Sequence, residues 1–156
     1  MAHADDTAVL TGQLGRSPAA AFEVCVRTPG GEPVVIRNEP LMVDGRPMPT
    51  RYWLVDRQAV KAVARLESAG GARAAEAEVD AAELAAAHAA YAAERDAALP
   101  DGHAGPRPAG GVGGTRRGVK CLHAHYAYFL AGGDDPVGRW VEERLPGVVD
   151  VPGEDR

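Results

Sequence analysis

The sequence predicts an α+β fold: a small antiparallel sheet from the N-terminal third, packed against several helices, with a central helix around 119–131. Three observations carry this reading. Phe22, Val24 and Val26 alternate with Glu23, Cys25 and Arg27, the period-two pattern of a half-buried strand. Pro29-Gly30-Gly31 then turns the chain into the apolar run Pro33-Val34-Val35-Ile36. From Asp56 onward the larger apolar residues recur at intervals of three and four in an alanine-rich background, which is the helical period.

Asp5 or Asp6 can cap a short first helix through Val9, Leu10 and Leu14, ended by Gly15. The hairpin follows, with strands around 22–27 and 33–37. Asp44-Gly45 forms a second turn between Leu41-Met42-Val43 and Arg46-Pro47-Met48-Pro49, where the prolines predict an edge or an ordered loop. Tyr52-Trp53-Leu54-Val55 reads as a further short strand. Asp56 is suited to cap a helix with Ala59, Val60, Val63 and Leu66 on one face, closed by Gly70-Gly71. A further helical segment starts near Ala72 and breaks or recaps at Asp80, because Asp80 and Glu83 have capping-box spacing. Leu84, Ala87, His88, Tyr91 and Arg95 continue at helical spacing until Pro100. Gly and Pro dominate 100–114 and exclude regular structure there. Val119 to Ala131 forms the next helix, stopped by Gly132-Gly133, and Asp135-Pro136 opens a last one through Trp140, Val141 and Leu145.

Domain organisation follows: one globular domain over 1–145, a Gly/Pro-rich loop over 100–117, and a frayed tail over 146–156. At 156 residues, with 46% hydrophobic and 25% charged side chains, the chain can build one core without staples. A net charge of −5 argues against nucleic acid or an anionic membrane as partner. No apolar run reaches the roughly 18 residues of a membrane span. Met1 to Asp6 lacks the character of a signal peptide. Cys25 and Cys121 leave room for one bridge at most, so a reducing, cytoplasmic location is expected.

The unusual chemistry lies in 110–125. Five glycines and the cations Arg116, Arg117 and Lys120 run into Cys121, His123 and His125, and no acidic residue occurs between Asp101 and Asp134. Free backbone amides at a helix start, beside positive charge, favour a phosphate or carboxylate. Gly113, Gly114, Thr115, Arg116, Arg117, Gly118 and Lys120 are the expected ligand-binding residues, against the plainer reading of a tether with solvated arginines. A phosphate loop of nucleotidases is excluded: Val119 separates Gly118 from Lys120, no strand precedes the glycines, and no Ser or Thr follows the lysine.

As a helix, 119–131 places Val119, Leu122, Tyr126, Phe129 and Leu130 on one stripe with His123 on its flank, and Cys121, His125 and Tyr128 opposite. A strand would instead put Cys121, His123 and His125 on one face; alanine content and the double-glycine stop favour the helix. Cys121 is read as a thiolate nucleophile served by an imidazole one turn later, as part of a metal pair with His125, or as a small buried thiol. His123 is read first as a buried imidazole bonded to a loop carbonyl. Cys121 and His125 supply two ligands at most, and His3, His88 and His103 have no motif spacing, so no metal and no cofactor is expected. Tyr52 and Trp53 are core residues, with ligand stacking as the alternative.

Gly118-Val-Lys-Cys-Leu-His123, Gln13-Leu-Gly-Arg16, Asp44-Gly-Arg-Pro47, Pro49-Thr-Arg-Tyr-Trp-Leu54 and Asp134-Asp-Pro-Val-Gly138 together resemble the domain of unknown function 501 family. The resemblance implies an actinobacterial source and genes neighbouring a septum-formation initiator, enolase and an exopolyphosphatase; it implies no activity. It also implies that relatives carry cysteines near the positions of Thr28 and Asp56 and a histidine near Tyr128, forming a metal or redox site that this chain lacks. Lys120, Cys121 and His123 remain matched.

The expected function is binding of a small anionic ligand, or a partner's anionic group, at Thr115 to His123, with Arg16 and Arg51 converging on it from other family-like stretches. The alternatives are an enzyme using Cys121 with His123 or His125 as proton acceptor, a metal-binding protein, and a division-associated interaction protein that docks through the acidic helix 80–98.

Overall fold

The computed structural model describes residues 4–149, and its elements run α1 (Ala4–Leu14), β1 (Ala20–Arg27), β2 (Pro33–Met42), β3 (Tyr52–Leu54), α2 (Arg57–Ser68), α3 (Gly71–Glu78), α4 (Ala81–Ala97), a 3-10 turn (Val112–Gly114), α5 (Leu122–Leu130) and α6 (Pro136–Arg144). This is the expected α+β architecture. The sheet is antiparallel in the order β1-β2-β3. Two cross-strand rows set its faces. Val24, Ile36 and Trp53 stand opposite one another on one face, and Val26, Val35 and Leu54 on the other. Leu10 and Leu14 of α1 cover the first face with Ile36, Val55 and Trp53; the second faces the main core of Tyr91, Leu122, Tyr126, Val137 and Trp140. The sheet is therefore the middle layer, with α1 on one side and the remaining helices on the other.

Aspartate caps start three of the helices. Asp56 accepts from the Ala59 amide, Asp80 from Glu83, and Asp135 from both Val137 and Gly138 with Pro136 behind it. At α1 the expectation shifts: the helix already includes Ala4, so Asp5 and Asp6 lie inside its first turn. There Asp6 takes a bidentate pair from Arg27, at 3.0 and 2.8 Å, which ties α1 to the sheet.

One strand boundary is corrected. The strand expected around 33–37 runs on to Met42 as the ten-residue β2, broken at neither Asn38 nor Pro40. Between Ala20 and Phe22 on β1 the register jumps from Met42 to Asn38 on β2, and this bulge tolerates a proline without an amide. Arg46-Pro47-Met48 returns as an edge, with one bridge from Leu41 to Pro47. The start of the tail is not loose either: Val148 and Val149 are half-buried against the main core, while 150–156 lie outside the described residues. Both cysteines are free thiols, so no bridge joins Cys25 to Cys121. Among the described residues no helix is long and apolar enough to cross a membrane.

Candidate functional site

The glycine-rich segment is held from α4, and its atoms point inward for structural reasons. His88 is 5% exposed; its Nδ1 accepts the Val112 amide at 3.0 Å and its Nε2 donates to the Gly118 carbonyl at 2.8 Å. One ring nitrogen must accept and the other must donate, so His88 is the neutral Nε2–H tautomer. Burial lowers its pKa below the ordinary histidine value in the same sense. Arg95, only 1% exposed, donates to the carbonyls of Gly110 at 2.9 Å and Pro49 at 3.2 Å. Sequence spacing put both residues on the buried face of α4, and their polar atoms explain why the face needs them.

The loop's own amides are largely spoken for. Gly111 donates to the Thr115 carbonyl, Gly114 to Gly111, and Val119 to the Glu76 carboxylate at 2.7 Å. Glu76 lies so close to Gly118 that a Cβ there would stand 2.2 Å from its oxygen, and Gly118 takes a positive φ of 67°. Thr115 Oγ1 turns back to the Arg117 carbonyl. Arg116, Arg117 and Lys120 are exposed, and Arg116 lines a shallow cleft with His88, Arg95 and Asp96. Arg16 stacks over Trp53 at 5.6 Å, while Arg51 bonds the Asn38 carbonyl and Glu94. The expected anion-binding residues therefore do not converge: Gly113 lies beside Cys121, the loop cations are exposed, Arg16 lies over Trp53, and Arg51, just before β3, pairs with Glu94 of α4.

The central helix starts later than the expected 119. It begins at Leu122, and Cys121 is its extended N-cap residue, offering no side-chain cap. Glu67 of α2 takes over that task by accepting the Leu122 amide at 2.7 Å. Cys121 therefore does not share a helix face with His125. His125 is fully buried, its Nδ1 2.6 Å from Asp135 Oδ2, and belongs to the packing between α5 and α6. Tyr128 stacks on Tyr52 in the core.

Cys121 instead meets His123 and Glu67. One donor atom from each, the sulfur, an imidazole nitrogen and a carboxylate oxygen, lie within 4.8 Å of one another. His123 Nδ1 is 3.0 Å from Glu67 Oε1, and Nε2 is 3.0 Å from the Val60 carbonyl. Both ring nitrogens face acceptors, which defines an imidazolium. The Cys121 sulfur first, then the Val60 carbonyl and the Glu67 carboxylate, push His123 up to about 9, against burial acting the other way. The expected carbonyl partner exists, but it comes from α2 and not from a loop.

This cluster opens on a cavity of about 610 Å³ between α1, β3, α2 and the start of α5. Leu14, Trp53, Leu54 and Val55 give apolar walls; Gln13, Arg57 and Lys61 add polar groups beside Cys121 and His123. Three of the sequence stretches behind the resemblance, Gln13–Arg16, Pro49–Leu54 and Gly118–His123, meet here. Glu67, Arg57 and Lys61 were not anticipated. A signal for Glu67 was present: Val60, Val63 and Glu67 follow at three and four, so a carboxylate continues the apolar face of α2.

In this α+β chain Cys121 and His123 line an apolar-walled cavity with Arg57 and Lys61, and Glu67 pairs with His123 beside it. Residues 24–143 match the family described as "Protein of unknown function (DUF501)", and the chain belongs to that family. No curated protein and no solved structure matches it.

Proposed function

We propose that this protein binds a small anion carrying an apolar portion, a carboxylate or phosphate ester, in the cavity between α1, β3, α2 and the start of α5. One observation carries the reading: His123, Arg57 and Lys61 line one cavity whose walls include Trp53, Leu14 and Leu54. A buried-edge cation next to apolar surface selects a ligand with both characters. The glycine-rich loop then serves as the support that seats Cys121, and its exposed arginines act at most as a secondary attraction for charge.

Thermal-shift and calorimetric titration with inorganic phosphate, aliphatic carboxylates and aromatic carboxylates tests this. A bound member raises the melting temperature by mass action. Lys61→Glu should abolish the response, and Arg116→Ala with Arg117→Ala should leave it within a factor of two. A response lost in the arginine pair and kept in Lys61→Glu would move the ligand to the loop. No response from any anion would end the reading. The contact between Cys121 and His123 also supports a cysteine nucleophile, for which alkylation of Cys121 in the native Cys25→Ser protein is the direct measurement. A thiol that stays inert until denaturation excludes it.

A further inference from the structure

We infer that Glu67, Cys121 and His123 form a binding site for one divalent zinc-class metal ion, with a fourth position open to the cavity. The sequence paired Cys121 with His125 and expected no metal. The fold replaces His125 by His123 and adds a carboxylate from α2.

Three independent features favour coordination over a chance cluster. The donor set is imidazole nitrogen, thiolate sulfur and carboxylate oxygen, which suits zinc among the common divalent ions. Zinc bonds of about 2.0–2.3 Å to these atoms imply edges of roughly 3.2–3.7 Å between ligands. The three atoms lie within 4.8 Å of one another, with the Glu67–His123 pair at 3.0 Å, so small rotations reach that geometry.

The supporting shell is also in place. A metal-bound histidine characteristically donates its other ring nitrogen to a carbonyl, and here Nε2–H points to Val60 O at 3.0 Å, leaving Nδ1 toward Glu67. Glu67 is itself oriented by the Leu122 amide at 2.7 Å. Finally, the cluster borders open volume. Gln13 lines the same cavity and carries a buried side-chain oxygen without a partner among the described residues. Three protein ligands with one open position is the arrangement of zinc sites that exchange water or substrate.

Binding is balanced by loss of the His123 Nδ1 proton and the Cys121 thiol proton to solvent. The ion then takes the place of the hydrogen bond between His123 and Glu67.

The experiment uses the full chain stripped of metal and titrated with Co²⁺ and then Zn²⁺ in buffer free of candidate anions. One equivalent of Co²⁺ should give a thiolate-to-cobalt charge-transfer band and the visible bands of a four-coordinate ion, and Zn²⁺ should displace it. Cys121→Ser should abolish the charge-transfer band, and His123→Gln should weaken affinity at least tenfold. Glu67→Gln, which keeps an acceptor for Leu122 and so protects the helix start, should also weaken it at least tenfold. Cys25→Ser, and Arg116→Ala with Arg117→Ala, should bind as the parent does. A parent without the charge-transfer band, or a band that survives Cys121→Ser, overturns the inference. Because the cobalt band is read in buffer free of anions and the anion response is read on the metal-stripped chain, the two readings fail separately.

Discussion

His88→Leu is the sharpest test of how the glycine-rich segment is held. The substitution keeps apolar volume on α4 and removes two hydrogen bonds that bracket 112–118. Val112 is fully buried, so its amide loses its acceptor with no water to replace it, costing about 1–3 kcal/mol. The Gly118 carbonyl is half-buried and recovers part of its bond from solvent, costing about 0.5–1 kcal/mol. Together the loss is about 1.5–4 kcal/mol. With an m-value of about 2 kcal/mol/M, the urea midpoint should fall by about 0.8–2 M at unchanged m. Hydrogen exchange at Val112 should accelerate to match. The parent also carries a pH signature that the variant lacks. Burial holds the folded pKa of His88 below its ordinary value, so below about pH 6.5 the unfolded chain takes up a proton that the folded protein refuses. Stability therefore falls as pH drops from 7 toward 5, and this part of the slope disappears in His88→Leu. A midpoint shift under 0.3 M, or an unchanged Val112 exchange rate, would show that the loop is a tether and not a clamped support.

Three further outcomes follow from the packing. In Gly138→Ala the new Cβ would stand 2.1 Å from Phe129 Cβ and 2.9 Å from the His125 carbonyl oxygen, so α5 and α6 must separate; about 3 kcal/mol of overpacking should lower the melting temperature by about 6–12 °C in calorimetry. Arg95→Met leaves the Gly110 and Pro49 carbonyls without their buried donor, and urea unfolding should show a loss of about 2–4 kcal/mol. Tyr91→Phe removes the hydroxyl that accepts the Arg51 and Tyr52 amides at 2.6 and 3.2 Å, and should cost about 2 kcal/mol by the same measurement.

The parts of this fold that were legible in the sequence are those decided within a few residues. Asp56, Asp80 and Asp135 announce helix starts because a side chain caps an amide two or three positions on. The hairpin is legible from the alternation and the Pro29-Gly30-Gly31 turn, but its register is not, because shifts between Val24 and Val26 and between Val26 and Arg27 send those two valines to opposite faces. What escaped was decided across the chain. Pro40 looks like a strand breaker until the irregularity in β2 between Asn38 and Met42 removes the need for its amide. Val119 looks like the first residue of the central helix until Glu76 takes its amide and Gly118 adopts a positive φ, which delays the start to Leu122. That delay is also why the candidate site was half visible. Helical geometry from 119 sends Cys121 away from His123, whereas an extended N-cap brings them together. Glu67, 54 residues before Cys121 in the chain, joins them only through the packing of α2 on α5.

The same packing explains why the loop is rich in glycine yet is not where the chemistry gathers. Arg95 and His88 draw backbone carbonyls and an amide toward α4, which demands close approach: a Cβ on Gly111 would meet His88 Cβ at 2.7 Å, and one on Gly110 would meet the Gly114 carbonyl carbon at the same distance. Gly113, Gly114 and Gly118 all need positive φ to make the reversals between these anchors. The glycines therefore satisfy a backbone folded tightly on itself. With its amides committed to Thr115, Gly111, His88 and Glu76, the segment retains few donors for an external anion. Its output is positional. It delivers Cys121 as an extended residue at the mouth of the cavity, where α2 supplies the carboxylate and a helix carbonyl, and α5 supplies the imidazole. Charge that the sequence displays most openly, on Arg116 and Arg117, faces solvent, and the pair that matters electrostatically, Glu67 with His123, is assembled by tertiary contact.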